Sequence, residues 1–316
     1  MAEQSWKNEV LIEYSGDPQL IGRAASRKHK VSWSTLWDFK QKMLTGEVTA
    51  ANSLTKPKIL MVDIETAPVL AHVWMLFNNN TSLNQIQADW YMLSWSAKWL
   101  GEDEIFYEGL KDQPSFAKDP ENDLSIVKGL WKLFDEADII VGHNVKRFDN
   151  KKTKARFLKH GLTPPSSYRM IDTLHIAKKE FALTSNKLDF LATFLGFENK
   201  VDHEGHTLWT RCMRGEQDAW DKMEEYNKYD VELLEKVYLK IRGWYQAHPN
   251  VAVYYNDYSM RCTTCGSDKV EITGNTMKTN LSEFTEYRCT CCGKVSRDGF
   301  SHIPKQKRSN LLRNIT

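Results

Sequence analysis

The sequence predicts an α/β fold, a mixed sheet with helices packed on it, and two observations carry that reading. First, three strand-like stretches come in succession: Lys58–Ile64, Trp90–Trp99 and Glu104–Leu110, two of them rich in aromatic residues and all separated by turn signals. Second, strand-like and helix-like stretches then alternate to about Tyr245. Leu124–Ala137 repeats apolar residues at helical spacing (Leu124, Val127, Leu130, Trp131, Phe134), Asp138–Val141 is a short buried strand, and Lys151–His160 is a helix closed by Gly161. Met170–Asp172 opens another strand-then-helix step. Lys187–Leu195 and Trp220–Tyr245 are further helices, the last ended by His248-Pro249.

At 316 residues the chain is long enough for about two domains. Hydrophobic residues make up 41% and charged residues 27%, the balance of an ordinary globular protein. A mean hydropathy of -0.54, with no apolar run near the ~20 residues needed to cross a bilayer, argues against a membrane protein. The start, MAEQSWKNEV, lacks a basic stretch followed by an apolar one, so no secretory signal is expected and the cytoplasm is the expected location. Three regions are expected: a helical segment and linker over 1–56, a main domain over 57–247, and a small cysteine-bearing domain over 258–316. The linker is Gly46–Pro57 (GEVTAANSLTKP), which is small, polar and unpatterned. The formal charge of +2 is unevenly spread. Leu20–Met43 holds six Lys/Arg against one acid, and Arg261 to the end holds ten against five. Both ends are therefore candidate polyanion contacts.

Ile59-Leu60-Met61-Val62 is continuously apolar, as in a strand covered on both faces, and Asp63 and Glu65 sit at its end. Residues two apart on a strand share a face, so these carboxylates point the same way. Solvated acids at a strand end would look the same; a divalent cation between them is the functional alternative. The buried strand IIVGH leads to Asn144, Phe148 and Asp149, and Asp149 falls where a helix begins, as a helix cap or as a third carboxylate. Tyr226 and Asp230 lie four apart and so share a helix face. Hard oxygen ligands of this kind suit Mg²⁺ or Mn²⁺, and two such ions can clamp the attacking and leaving oxygens of a phosphodiester. The Tyr226 hydroxyl could orient the attacking water.

VDIET (62–66), HNVKRFD (143–149) and YNKYD (226–230) resemble the three exonuclease motifs of the DnaQ-like 3′–5′ exonucleases, over roughly residues 57–246. The forms N-x-x-x-F-D and Y-x-x-x-D are similar to the tyrosine branch, found in proofreading domains of family-B DNA polymerases. The histidine branch would place His five residues before the final Asp, where this chain has Glu225. The longer context, IDTLHIAKK (171–179) and NKLDFLATFLG (186–196), is similar to standalone exonucleases encoded by bacteriophages, which would put the protein in the cytoplasm of a bacterial host. The resemblance implies an RNase H-like mixed sheet flanked by helices. It implies two Mg²⁺ or Mn²⁺ held by Asp63, Glu65, Asp149 and Asp230, with Tyr226 positioning water and Asn144 touching the substrate strand. It also implies removal of 5′-mononucleotides from DNA that is single-stranded or has a free 3′ end, in replication, repair or recombination. RNA trimming, a structure-specific nuclease, and a DNA-binding regulator built on a nuclease-like platform are the alternatives. Asp172 and Asp189 are read as helix caps and left outside the site. About 70 residues follow the motifs, so no polymerase domain in the same chain is expected.

Cys262-x-x-Cys265 and Cys289-x-x-Cys292 are separated by 23 residues, a spacing that presents four soft ligands to one structural Zn²⁺ as in a zinc ribbon. Cys291 is an alternative to Cys292. Val270, Ile272, Phe284 and Tyr287 fit hairpin strands between the pairs, and Cys212 reads as a buried free thiol. The basic end, with Lys305, Lys307, Arg308 and Arg313, is a solvated terminus or a phosphate contact. Pro18–Met43 reads as helix, turn, helix. Ile21, Ala24 and Ala25 are expected to pack the first helix, Val31 the turn, and Leu36 and Trp37 the second. It resembles a DNA-binding helix-turn-helix in which Arg23, Arg27, Lys28 and Lys30 contact DNA; a helical hairpin docked on the core is the alternative.

Overall fold

The computed structural model describes residues 6–313 except 8, 11, 12, 15, 46–55, 76, 78, 79, 198–203 and 258. The linker reading of Gly46–Pro57 lies almost wholly outside the described residues. The chain divides into two compact units: Lys58–Tyr245, and Met1–Pro57 together with Gln246–Thr316.

In the N-terminal segment, α1 (Arg23–Lys28) and α2 (Trp33–Leu44) are joined by a turn in which Lys30 takes a left-handed conformation (φ 54°), where a glycine would be easier. Ser32 caps α2 by accepting from the Thr35 amide at 3.2 Å. The core here is Trp6, Val10, Ile21, Ala25, Leu36, Phe39 and Met43. Two packing expectations are corrected. Ala24 is exposed, and Trp37 is 45% exposed. The buried stripe of α2 runs Leu36, Phe39, Met43, an i, i+3, i+7 series that leaves Trp37 off it. The His29 ring is buried between Glu9 (3.1 Å) and Glu13 (3.0 Å), and Lys28 pairs with Glu13 at 2.7 Å.

The Lys58–Tyr245 unit is built on a five-stranded mixed sheet. Its strands are β1 (Ile59–Thr66), β4 (Met92–Trp99), β5 (Ile105–Gly109), β6 (Ile139–Gly142) and β7 (Arg169–Asp172), in the order β5-β4-β1-β6-β7. β4 runs antiparallel to both of its neighbours, β1 and β5, whereas β1, β6 and β7 pair in parallel. A short pair, β2 (Leu70–Ala71) with β3 (Ile86–Ala88), fills the β1–β4 connection; strands of two and three residues carry no readable period. β1 is central, and Ile59–Val62 are buried on both faces, as the apolar run requires.

Helices α3 (Leu124–Glu136), α4 (Asp149–Lys159), α5 (Thr173–Glu180), α6 (Leu188–Phe194), α7 (His206–Met213) and α8 (Gln217–Ile241) complete the unit. β4 shows how they are layered. Trp95 Nε1 donates to the Ile126 carbonyl of α3 at 2.7 Å, while Ser94 Oγ donates to Asn227 of α8 at 3.2 Å. Adjacent strand residues face opposite ways, so α3 and α8 cover opposite faces of the sheet. α8 begins three residues before the expected Trp220 and ends at Ile241, one 3₁₀ turn ahead of His248-Pro249. Buried Asp123 ties the α3 layer together: it accepts from the Met92 amide (2.8 Å), Arg156 (2.5 Å) and His160 (2.6 Å). Cys212 is fully buried, its Sγ donating to the Ala219 carbonyl, and burial pushes the thiol up to about 12.

The C-terminal region pairs β8 (Val270–Lys278), β9 (Glu283–Cys289) and β10 (Val295–Arg297) in an antiparallel sheet, followed by α9 (Lys305–Ser309). Phe284 is buried in it, with Arg297 stacked 3.8 Å from its ring centroid; Ile272 is 65% exposed.

Candidate functional site

β1 delivers Asp63 and Glu65, paired opposite Ser96 and Ser94 of β4. α8 brings Tyr226, Asn227 and Asp230, all buried. Asn227 Nδ2 donates to Asp63 Oδ2 at 2.7 Å, and Trp209 Nε1 of α7 donates to Glu65 Oε2 at 2.8 Å. The Trp209 ring meets the Tyr226 ring edge-on, with centroids 6.0 Å apart. Burial raises the Tyr226 hydroxyl well above the usual tyrosine range, and the charges of Asp230, Glu65 and Asp63 raise it further, so it keeps its proton.

Asp149 is the first residue of α4, and the capping position is Phe148, which answers the cap alternative against capping. Its carboxylate is buried and accepts from the Ile64 amide, between Asp63 and Glu65, at 3.3 Å. Burial pushes this carboxyl up to about 7.

Asp63, Asp230 and Asn144 line one open cleft of about 630 Å³, together with Asp189, Lys178 and Lys187. Asn144 is held in a left-handed conformation (φ 71°), and its neighbour His143 bonds Thr173 at 2.9 Å, with burial lowering the imidazole. Asp189 is no cap: Lys187 takes that position, and Asp189 sits inside the first turn of α6. Asp172 does cap α5, accepting from the Leu174 and His175 amides at 3.1 and 3.2 Å. It also accepts from the Asn144 and Lys146 amides at 3.0 and 3.2 Å, so it staples the Asn144 turn to that helix.

Asp63 and Asp230 share the cleft and Asp149 reaches the strand between Asp63 and Glu65, but no three of the four carboxylates close on one point. Among the described residues, only Cys262, Cys265, Cys289 and Cys292 form a group of three or more whose ligand atoms all lie within 4.8 Å of one another. Carboxylates repel one another until a cation lies between them. The carboxylates of Asp63, Glu65, Asp149 and Asp230 offer hard oxygens, a donor set that fits Mg²⁺ or Mn²⁺. Asn227 and Trp209 were not legible as site residues. Asn227 shares the Asp230 face at i, i+3, a signal that could have found it; Trp209 had none.

The cysteine quartet suits a different ion. Sγ–Sγ separations are 3.5 Å for Cys262–Cys292 and 3.6 Å for Cys265–Cys289. These approach the tetrahedron edge of about 3.8 Å implied by Zn–S bonds of ~2.3 Å. Both knuckles read C-x-x-C-G, and Gly266 (φ 71°) and Gly293 (φ 73°) make the left-handed turn that closes each. Cys291 is exposed and outside the group. Arg23, Arg27 and Lys30 are exposed on the N-terminal segment, whereas Lys28 is engaged by Glu13.

The family model of the RNase_H superfamily matches residues 100–242. No curated protein matches the chain. Among solved structures, the family B DNA polymerase from the hyperthermophilic archaeon Pyrobaculum calidifontis is similar at 15% identity and a TM-score of 0.43, over 60% of this chain and 26% of that one. The chain thus spans about a quarter of that polymerase's length. No helix among the described residues is long and apolar enough to cross a membrane. The mixed five-stranded sheet flanked by helices is RNase H-like, a fold that points to hydrolysis of nucleic acid; the family model matches its strands β5, β6 and β7 and the helices α3 to α8, whereas β1 and β4 precede the matched residues.

Proposed function

We propose that the protein is a metal-dependent 3′–5′ exonuclease that removes 5′-mononucleotides from DNA with a free 3′ end. The observation that carries the reading is the shared cleft of Asp63 and Asp230, from the central strand and the longest helix, with the Asn227 amide fixing Asp63. Asp63, Glu65, Asp149 and Asp230 would hold two Mg²⁺ or Mn²⁺, which supply an activated water and charge stabilisation at the leaving 3′ oxygen. The chain's own part is positional. Asn227 and Trp209 orient the first two carboxylates, and Tyr226, kept protonated, offers its hydroxyl to the water. Asn144 lines the cleft where a terminal nucleotide would lie. The test is end-labelled digestion of single-stranded DNA, duplex DNA and RNA with Mg²⁺, Mn²⁺ or EDTA. A metal-dependent ladder from the 3′ end of DNA, slowed by a 3′-phosphate, is expected. Internal cuts in a circular strand, preference for RNA, or no hydrolysis would each overturn the reading.

The cysteine quartet is proposed to hold one structural Zn²⁺, supported by its near-tetrahedral sulfur spacing and paired glycine turns. The N-terminal helices are proposed to contact DNA through exposed Arg23, Arg27 and Lys30, with Lys28 partly offset by Glu13.

A further inference from the structure

A second cavity, of about 160 Å³, adjoins the carboxylate cleft and shares Asn144, Leu174 and Lys178 with it. Its remaining lining is Lys146, Arg147, His175 and Asp172. Three permanent cations thus face one acid, and that acid already accepts four backbone amides. The cations themselves are uncommitted: among the described residues, none of Lys146, Arg147 and Lys178 is in an ion pair. Other cations of this unit are paired, as in Lys98–Glu235, Arg156–Asp123 and Arg211 with three acids. Arg147 and Lys178 are exposed, so their charge is available to a ligand. The Asp172 staple holds the Asn144–Lys146 backbone on the start of α5, which brings Lys146 and Arg147 of the turn and Lys178 of the helix to one cavity.

We infer that this cavity is a subsite for a backbone phosphate of single-stranded DNA, one or more nucleotides upstream of the end that lies against Asp63 and Asp230. The inference rests on the exonuclease reading for the identity of the strand. Carboxylates repel a polyanion unless cations bind it close by, and Lys178, on both cavities, joins the two regions. A single strand can bend its successive phosphates through both; a rigid duplex cannot do so without fraying its end.

The test is binding of 5′-labelled oligothymidylates of increasing length to the full chain by fluorescence anisotropy in buffer without added Mg²⁺ or Mn²⁺, where nothing is hydrolysed, at several salt concentrations. The variants are Arg147→Ala with Lys178→Ala, the conservative pair Arg147→Lys with Lys178→Arg, and Lys128→Ala on α3 as a control. In the alanine pair, Kd should rise roughly tenfold or more, and the slope of log affinity against log salt should shrink by roughly 0.7 for each phosphate no longer neutralised. The conservative pair should restore most of both, and the step in affinity with length should vanish only in the alanine pair. Unchanged affinity and slope in the alanine pair overturn the subsite, as does a chain that binds no single strand. Thymidine 5′-monophosphate binding as tightly as the oligomers, with the same weakening in the alanine pair, would mark a mononucleotide pocket and overturn the strand assignment. Cavity-dependent binding without any 3′ digestion in Mg²⁺ or Mn²⁺ would sink the exonuclease reading and leave the subsite standing.

Discussion

Asn227 Nδ2 lies 2.7 Å from Asp63 Oδ2, and the same amide accepts from Ser94 Oγ through its oxygen at 3.2 Å. A fully buried side chain thus spans from β4 to a carboxylate of the central strand, with both ends of its amide satisfied. Asn227→Ala leaves Ser94 and Asp63 short of a partner and should cost about 1–3 kcal/mol of stability. Asn227→Asp replaces a donor to Asp63 with a second acceptor, so it should cost more in activity than in stability. A drop of roughly 10–100-fold in kcat or in Mn²⁺ affinity is expected. Steady-state rates across a Mn²⁺ titration, with thermal melts of both variants, check this; an Asn227→Asp variant with an unchanged Mn²⁺ requirement would remove Asn227 from the site.

Trp209→Phe separates the two things the indole does. The phenyl ring still packs against Tyr226, but the N–H donated to Glu65 is gone. The fold should hold, with the melting temperature nearly unchanged, while activity falls roughly 10–100-fold. The Mg²⁺-induced change in tryptophan emission expected of the native protein should be largely absent in the variant. If that signal persisted, the indole would be reporting packing and not the carboxylate.

Asp63→Ala and Asp230→Asn should each abolish hydrolysis while leaving the sheet folded, since each removes a carboxylate at the cleft and little core. Tyr226→Phe should be milder, because the ring packing on Trp209 survives and only the hydroxyl is removed. Rates of the purified variants decide: near-normal hydrolysis in either aspartate variant would end the carboxylate assignment, and a dead Tyr226→Phe would point to a structural hydroxyl.

How far the sequence was legible follows from how local each signal is. Asp63 and Glu65 could be read as neighbours because strand alternation is a two-residue rule, and Tyr226 and Asp230 because a helix repeats within four. The order of three strands followed by strand–helix steps carried the mixed sheet for the same reason. Asn227 and Trp209 find their carboxylates 164 and 144 residues away, and no local period encodes such a pairing. An aromatic residue beside Leu36 suggests burial for Trp37, whereas the stripe that packs is set by Phe39 and Met43. Asp172 was legible as a cap but not as a staple, since its other two amides come from a turn more than 20 residues earlier.

Metal removal should act on the C-terminal region through four cysteines and not five. Cys265→Ser should release metal and melt the β8–β9–β10 sheet, because that sheet has little core beyond Phe284 and the thiols. Cys291→Ser should change neither, as Cys291 is exposed and outside the quartet. One equivalent of zinc by elemental analysis in the native chain and in Cys291→Ser, with none retained in Cys265→Ser, is expected. Zinc-free Cys291→Ser would mean the ligand set is misassigned.

Glu108 gives a pH dependence that is independent of the cleft. It lies opposite Trp95 in the β4–β5 register and so faces α3, where its carboxyl packs against Gly129 in a space with no room for a Cβ. Burial pushes this carboxyl from 4.5 up to about 7, with Lys132 pulling weakly the other way. Between those values the folded state keeps a proton that the unfolded chain has released, so the sign is fixed. The contribution of Glu108 to stability should be greatest below about 4.5, fall as the pH rises to about 7, and then level off. Glu108→Gln carries no charge at any pH and should flatten that part of the slope, gaining melting temperature over the native protein at pH 8 and little at pH 4. Buried Asp149 contributes a slope of the same sign that the variant retains. Melting temperatures of the two proteins from pH 4 to 8 measure the difference directly, and parallel curves would show that Glu108 stays ionised against the helix.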